Sequence, residues 1–382
     1  MGFCKILSAM CGAPPVTYIC PRGTGGLDGP GGGLTCPVCI CRHLRILIHE
    51  RGPFHMSRAR SGIVMAGSLA TTLMVATVAA ARPATPCPDL RPTVNAIADA
   101  LERGYVLPAR GAEAADRLRH GVRERDVSHV CGDAPAQAAI LTDMTRDALN
   151  DLHLRVAPGP PDPLTPPARP DADALADNFG IRDVSRLPGG IGYLRLSAWA
   201  PAPWVEARLA NAFALLRDSR GLIIDVRGNP GGDGGTVSMV ERTFLPDGAP
   251  PTFQDFDRAG QPVSVEDVRE PAWPRFPKDM PLVILIDRGS ASGSESLAFS
   301  LREEHRATLV GGRTAGAAHV VRDGVLLPGG FTLYLPRYRQ EGRMSHADWE
   351  GVGVRPDVEA DPADVKMLAW EFLRQKLEGG KK

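Results

Sequence analysis

Residues 94–101, 112–121 and 136–151 carry Ala, Leu, Ile and Val at three- and four-residue spacing, the period of a helix with one apolar stripe. That pattern predicts a small helical unit over residues 88–155. Residues 157–170 lose the period and fill with proline, which predicts a stiff linker and a domain boundary. Beyond it the pattern changes again. Short apolar runs at 191–196, 222–226, 282–286 and 308–310 read as strands, and the segments 204–219, 236–244 and 294–301 between them read as helices. A hairpin is expected within 325–338. Strands alternating with helices imply an α/β core with a largely parallel sheet.

The beginning of the chain follows neither pattern. Met56-Ser-Arg-Ala-Arg60 is a short basic patch, the run 61–81 is uncharged, and small residues precede Arg82. A basic start, an apolar middle and small residues at the end describe a secretory signal peptide over 56–81, with cleavage after Ala81 and a periplasmic or secreted destination. A membrane anchor is the competing reading, because the run is about as long as a bilayer requires. Its Ala, Thr, Ser and Gly content is weakly hydrophobic, so cleavage is favoured and no stable membrane insertion is expected afterwards. Residues 1–55 would then be a non-native or disordered extension. They hold Cys4, Cys11, Cys20, Cys36, Cys39 and Cys41, and Cys36-Pro-Val-Cys39-Ile-Cys41 with His43 has zinc-ligand chemistry, but a second spaced pair is missing. No metal and no cofactor are expected. Past residue 81 the remaining cysteines are Cys87 and Cys131, consistent with a single disulfide in an exported chain.

Composition changes this picture little. A chain of 382 residues with 43% hydrophobic content can bury a sizeable core. Lys+Arg and Asp+Glu both number 44, so no basic excess points to a nucleic-acid partner.

The chemistry concentrates in two segments. Gly289-Ser-Ala-Ser292-Gly-Ser-Glu295 is a small-residue turn between a strand and a helix, a place where a serine can be presented to a substrate at a helix start. A serine there also serves as an ordinary helix cap, so the turn alone decides nothing. The second segment runs from Gly221 through Asp225-Val-Arg227-Gly-Asn-Pro-Gly231-Gly232 to Gly235, a strand opening into a glycine loop. Glycines let the backbone approach a ligand and leave N–H groups for developing negative charge. Backbone N–H groups of Gly231 or Gly232, with that of Gly293, are therefore the candidate oxyanion hole. Asp225 and Arg227 read as a structural pair beneath the loop.

With Val310-Gly-Gly-Arg-Thr-Ala-Gly316 and Gly351-Val-Gly-Val-Arg-Pro-Asp357 following in order, these motifs resemble the tail-specific proteases of peptidase family S41 over roughly residues 90–375. The nearest branch is the one of the tricorn core and the interphotoreceptor retinoid-binding modules. The resemblance implies a crotonase-like (ClpP/crotonase) spiral sheet over 171–382, preceded by a helical cap over 82–156. About 35 residues separate the helical unit from Ile191, too few for the PDZ domain many relatives insert. Processing-protease relatives place a lysine base where Ala317 stands, so that dyad is absent.

The other branch takes its base from a D-x-H pattern, matched by Asp151-Leu-His153, and a carboxylate before the G-V-x-P-D motif, matched by Glu350. Ser292 as nucleophile, His153 as general base and Glu350 as orienting carboxylate are the implied set. Leu152 replaces the serine that relays histidine to glutamate in tricorn-like members. His319 is the alternative base, and Glu295 is expected to anchor the nucleophile helix. Two function classes follow: an exported serine peptidase acting on peptides or unfolded protein, or a binding module holding an apolar ligand on the same fold.

Overall fold

The run Leu282-Val-Ile-Leu-Ile286 explains the centre of the molecule. Alternate residues point to opposite faces of a sheet, and here both faces are buried: Leu282, Ile284 and Ile286 enter one core, Val283 and Leu285 another. Leu222 and Ile224 share the first core and Ile223 the second. A strand covered on both sides needs an unbroken apolar run, which is what the sequence shows.

The computed structural model describes residues 87–124, 127, 129–161, 169–170, 172–264 and 268–379. The extension 1–55 and the signal reading over 56–81 lie outside the described residues. So do residues 162–168 of the proline-rich stretch.

Three helices open the described chain, α1 (Arg91–Gly104), α2 (Pro108–Glu124) and α3 (Ala134–Leu149), followed by β1 (Arg155–Pro158), α4 (Ala172–Ala176), β2 (Ile181–Leu187), β3 (Ile191–Leu196) and α5 (Ala202–Leu215). Next come β4 (Gly221–Asp225), α6 (Gly234–Arg242), β5 (Phe253–Phe256), β6 (Pro262–Val263), β7 (Leu282–Ile286), α7 (Gly293–Glu303) and β8 (Thr308–Gly311). The chain closes through β9 (Gly324–Leu327), β10 (Phe331–Tyr334), β11 (Arg339–Gly342), β12 (Val358–Glu359) and α8 (Val365–Gly379).

The central sheet has the order β12-β8-β7-β4-β3-β2, parallel from β12 to β3 with β2 antiparallel at the edge. Strand order follows chain order, so right-handed crossovers place their helices on one face. Residues of α5, α6 and α7 accordingly share one core with the sheet, while Val365, Ala369 and Leu373 of α8 cover the other face. This is the α/β spiral core expected from the resemblance, with a helical region before it.

The expected separation between cap and core does not hold. Strand β1 crosses the boundary set at residues 156 and 157 and pairs antiparallel with β10, Val156 opposite Leu333. Leu327, Phe331, Leu333 and Leu335 pack into the same core as α1, α2 and α3. The helices cannot close a core alone, and the β9–β10 hairpin supplies the missing apolar face. Cys87 and Cys131 are joined by a disulfide within this unit.

Candidate active site

Strands β4 and β7 are parallel neighbours, and loops leaving their carboxyl ends share a crevice, the usual binding place of an open parallel sheet. The two loops are bound together: Ala291 N–H donates to Asn229 O at 3.0 Å and Gly228 N–H to Asp287 Oδ1 at 2.9 Å. Beneath them Arg227 pairs with Asp225 at 2.7 Å and Tyr193 OH donates to the same carboxylate at 2.7 Å. Asp225 and Arg227 thus hold the base of the glycine loop, as read from sequence.

Ser292 stands at the start of α7 with φ 51° and ψ −118°. A non-glycine residue in that region carries strain of about 1–3 kcal/mol and persists only when its surroundings enforce it. Glu295 enforces it here. Fully buried, it accepts from Ser292 N–H and Ala317 N–H, both at 2.8 Å, from Gly316 N–H at 2.7 Å and from the Thr314 hydroxyl. Burial pushes the Glu295 carboxyl up while these four donors favour its ionised form. It is an anchor with no lone pair left for proton transfer.

His153 reaches Ser292 from the turn between α3 and β1. Helix α3 ends at Asn150 in the left-handed conformation, and Arg146 grips the turn after it, donating to Leu152 O at 2.7 Å and Leu154 O at 2.8 Å. Pairing of β1 with β10 then fixes the exit of that turn. The result is His153 Nε2 at 2.9 Å from Ser292 Oγ. Burial holds the imidazole below its ordinary pKa, with Asp151 opposing and His319 and Arg146 assisting. The ring is neutral near pH 7. With Nε2 accepting the serine proton, Nδ1 carries the ring hydrogen.

Glu350 lies behind the imidazole. One oxygen each of Asp151 and Glu350 and a ring nitrogen of His153 fall within 4.8 Å of one another. Glu350 Oε2 accepts from Ala318 N–H at 2.7 Å and His319 N–H at 3.0 Å, while Glu350 Oε1 and His153 Nδ1 are buried without a protein partner. Burial and the charge of Asp151 push the Glu350 carboxyl up. A resident metal is a poor fit to this trio, because both Asp151 oxygens and His153 Nε2 already hold hydrogen bonds.

His319 is not brought to Ser292. Its Nδ1 lies 2.8 Å from Asp151 Oδ2 and 3.0 Å from Tyr105 OH, with the ring 2% exposed. The oxyanion donors also need correcting at one position. Gly231 N–H donates to Asn229 Oδ1 at 2.9 Å, so it is already committed. Among the described residues the N–H groups of Gly232 and Gly293 have no acceptor within the protein. Gly231 instead supplies closeness: a Cβ there would stand 2.8 Å from Ser292 Cβ and 3.2 Å from Gly293 N. Sequence reasoning left Asp151 and Tyr105 without a role, although the D-x-H spacing already marked the first.

A cavity of about 110 Å³ opens beside Gly293 and Ser296, with Val237 of α6, Phe253 of β5 and Val268 among its walls. Several of its polar side chains have protein partners: Glu241 accepts from Thr252 at 2.6 Å, Arg242 is bound to Glu270 and Ala249 O, and Gln340 donates to Asp255.

Residues 190–360 match the model of peptidase family S41. The carboxyl-terminal-processing protease of Synechocystis sp. is 33% identical over 201 residues, 49% of this chain and 44% of its own length. The chloroplastic C-terminal processing peptidase of Tetradesmus obliquus is 28% identical over 202 residues, 51% of this chain and 40% of its own. The chain therefore spans less than half the length of these curated relatives. A candidate peptidase from Parabacteroides merdae superposes with a TM-score of 0.52 at 18% identity, covering 75% of this chain and 96% of that one. A lipoprotein from Streptococcus agalactiae does so with 0.50 at 16% identity, covering 76% and 97%. Both are likenesses of fold.

Proposed function

From the premise that this chain belongs to peptidase family S41 through residues 190–360, we propose that it is an exported serine peptidase cleaving peptides or unfolded protein. The observation that carries this is the 2.9 Å contact of His153 Nε2 with Ser292 Oγ, on a serine held at positive φ. In the first step Oγ bonds to the scissile carbonyl carbon as its proton passes to Nε2. The carbonyl oxygen gains the negative charge and is received by the N–H groups of Gly232 and Gly293. Return of the proton from Nε2 to the leaving amine breaks the C–N bond and leaves an acyl-enzyme, which water hydrolyses by the same proton route. Glu350, close to His153 but not bonded to it, is the carboxylate placed to accept the Nδ1 hydrogen bond once the imidazolium forms.

The alternative, a binding module for an apolar ligand, needs no base on Ser292 and no strained serine. Export rests on residues 56–81. Among the described residues no helix is long and apolar enough to cross a membrane.

Peptide hydrolysis with labelling by a fluorophosphonate probe tests the assignment. Ser292→Ala and His153→Ala should each lower kcat/KM by about 10³-fold or more with the fold intact, and Glu350→Gln by roughly tenfold. Activity should rise with pH through a midpoint below the ordinary histidine value, because only the neutral ring accepts the proton and burial favours that form. The probe adduct should map to Ser292. Turnover that survives Ser292→Ala would end the peptidase reading.

A further inference from the structure

Behind Ser292 and His153 lies a second layer of buried polar groups that bond-making and bond-breaking leave unused. Asp151 is fully buried. Its Oδ1 accepts the backbone N–H of His153 at 2.9 Å, and its Oδ2 accepts Tyr105 OH at 2.8 Å. His319 Nδ1 lies 2.8 Å from Oδ2 as well, and because a carboxylate only accepts, that nitrogen carries a hydrogen. On the far side, the backbone N–H groups of Ala318 and His319 hold Glu350 Oε2. One carboxylate therefore ties together the turn that carries the base, the turn between α1 and α2, and the segment that holds the orienting glutamate.

We propose that Asp151 is a positioning residue of the peptidase site, with Tyr105 and His319 as its supports: one oxygen fixes the His153 backbone, the other fixes the segment that sets Glu350 beside the imidazole. The inference rests on the reading of Ser292 as nucleophile and His153 as base. An unpaired buried carboxylate is costly, whereas removal of one partner from a satisfied buried group is strongly destabilising. Three donors on Asp151 meet the first requirement, and their contacts with His319 and His153 hold its carboxyl below the usual range against burial. Its charge also faces the ring of His153. The other charged or titratable groups around that ring are Glu350, His319 and Arg146, of which the last two oppose a positive imidazole. Asp151 thus acts on the base twice, through geometry and through charge.

The test is a pH profile of kcat and kcat/KM for peptide hydrolysis by the full chain and its variants. Asp151→Asn keeps the side-chain shape and removes the charge. It should lower kcat on the order of 10- to 100-fold, less than loss of a group that bonds the imidazole directly, with KM within about threefold. The alkaline-rising limb should move to lower pH by about half a unit, since the imidazolium loses a neighbouring anion. His319→Asn places an amide nitrogen where Nδ1 stands and should retain most of kcat, whereas His319→Phe should lower kcat to the level of Asp151→Asn without moving the limb to lower pH. A residue that only supported the fold would lower Tm and leave the limb in place.

A limb unmoved in Asp151→Asn, or equal activity in His319→Asn and His319→Phe, overturns the proposal. If Asp151→Asn does not fold, the comparison of the two His319 variants decides between support and refutation by itself. Wild-type protein lacking the limb, or an active Ser292→Ala, would instead overturn the assignment of nucleophile and base.

Discussion

Ser292 is useful because its backbone is held where a side chain rarely sits, and the residue that makes room for it is Gly231. At φ +106° Gly231 occupies a conformation that costs an L-residue about 1–3 kcal/mol, and an added Cβ would meet Ser292 Cβ at 2.8 Å and Ala291 O at 3.0 Å. Neither neighbour is a flexible tip, so what must shift is the turn that carries Ser292. Gly231→Ala should lower kcat by about 100-fold or more, since misplacement of reacting atoms by an ångström has effects of that size. Gly228→Ala is the control from the same loop: φ is +71° but nothing lies within 4 Å of the added carbon. It should lose a little thermal stability and keep activity within a few-fold. Steady-state kinetics beside melting curves separate the two, and equal losses of activity would show that loop strain, not contact with Ser292, is what matters at Gly231.

At the scale of elements, the parallel register of β4 and β7 brings the glycine loop and the serine turn together, and α6 and α7, packed side by side, leave the cavity next to Gly293. The walls Val237, Phe253 and Val268 are apolar, so under the proposed peptidase mechanism the space beside Gly293 is predicted to take an aliphatic side chain of the substrate. Size adds a limit. About 110 Å³ is less than the roughly 150 Å³ of an engineered apolar cavity that admits a benzene ring. Peptides with Ala, Val or Leu at that position should be cleaved with kcat/KM about tenfold or more above those with Phe or Trp, the scale on which an apolar pocket discriminates. Val237→Ala should narrow the gap by enlarging the cavity. A library profile showing aromatic preference in wild type would remove this cavity from the substrate path.

Across the whole molecule, what was legible in the sequence is what short-range pattern encodes. The runs at 222–226 and 282–286 were legible as strands of a largely parallel sheet, and the glycines and serine after them as the candidate chemistry. His153 was reached only through the resemblance, because its approach to Ser292 depends on pairing Arg155 with Tyr334, a contact that no local period records. For the same reason the 324–334 hairpin was not read as part of the helical core, nor α8 as the cover of the second sheet face. Long-range closure is also where the disulfide acts. Cys87 and Cys131 are 44 residues apart, and a cross-link of that span stabilises by about 4 kcal/mol in the loop-closure model. It joins the approach to α1 with the segment before α3, and α3 leads directly into the turn that bears His153. The turn itself is held by Arg146 and by the pairing of β1 with β10. Cys87→Ser with Cys131→Ser should therefore lower Tm by roughly 5–10 °C while kcat at low temperature stays within about twofold, the loss appearing only as the helical unit begins to open. Calorimetry of the variant against wild type, with and without reductant, reads both halves: a Tm indifferent to reductant would deny the cross-link its stabilising role, and a large loss of kcat far below Tm would mean that the base is positioned through the disulfide rather than through Arg146 and β1.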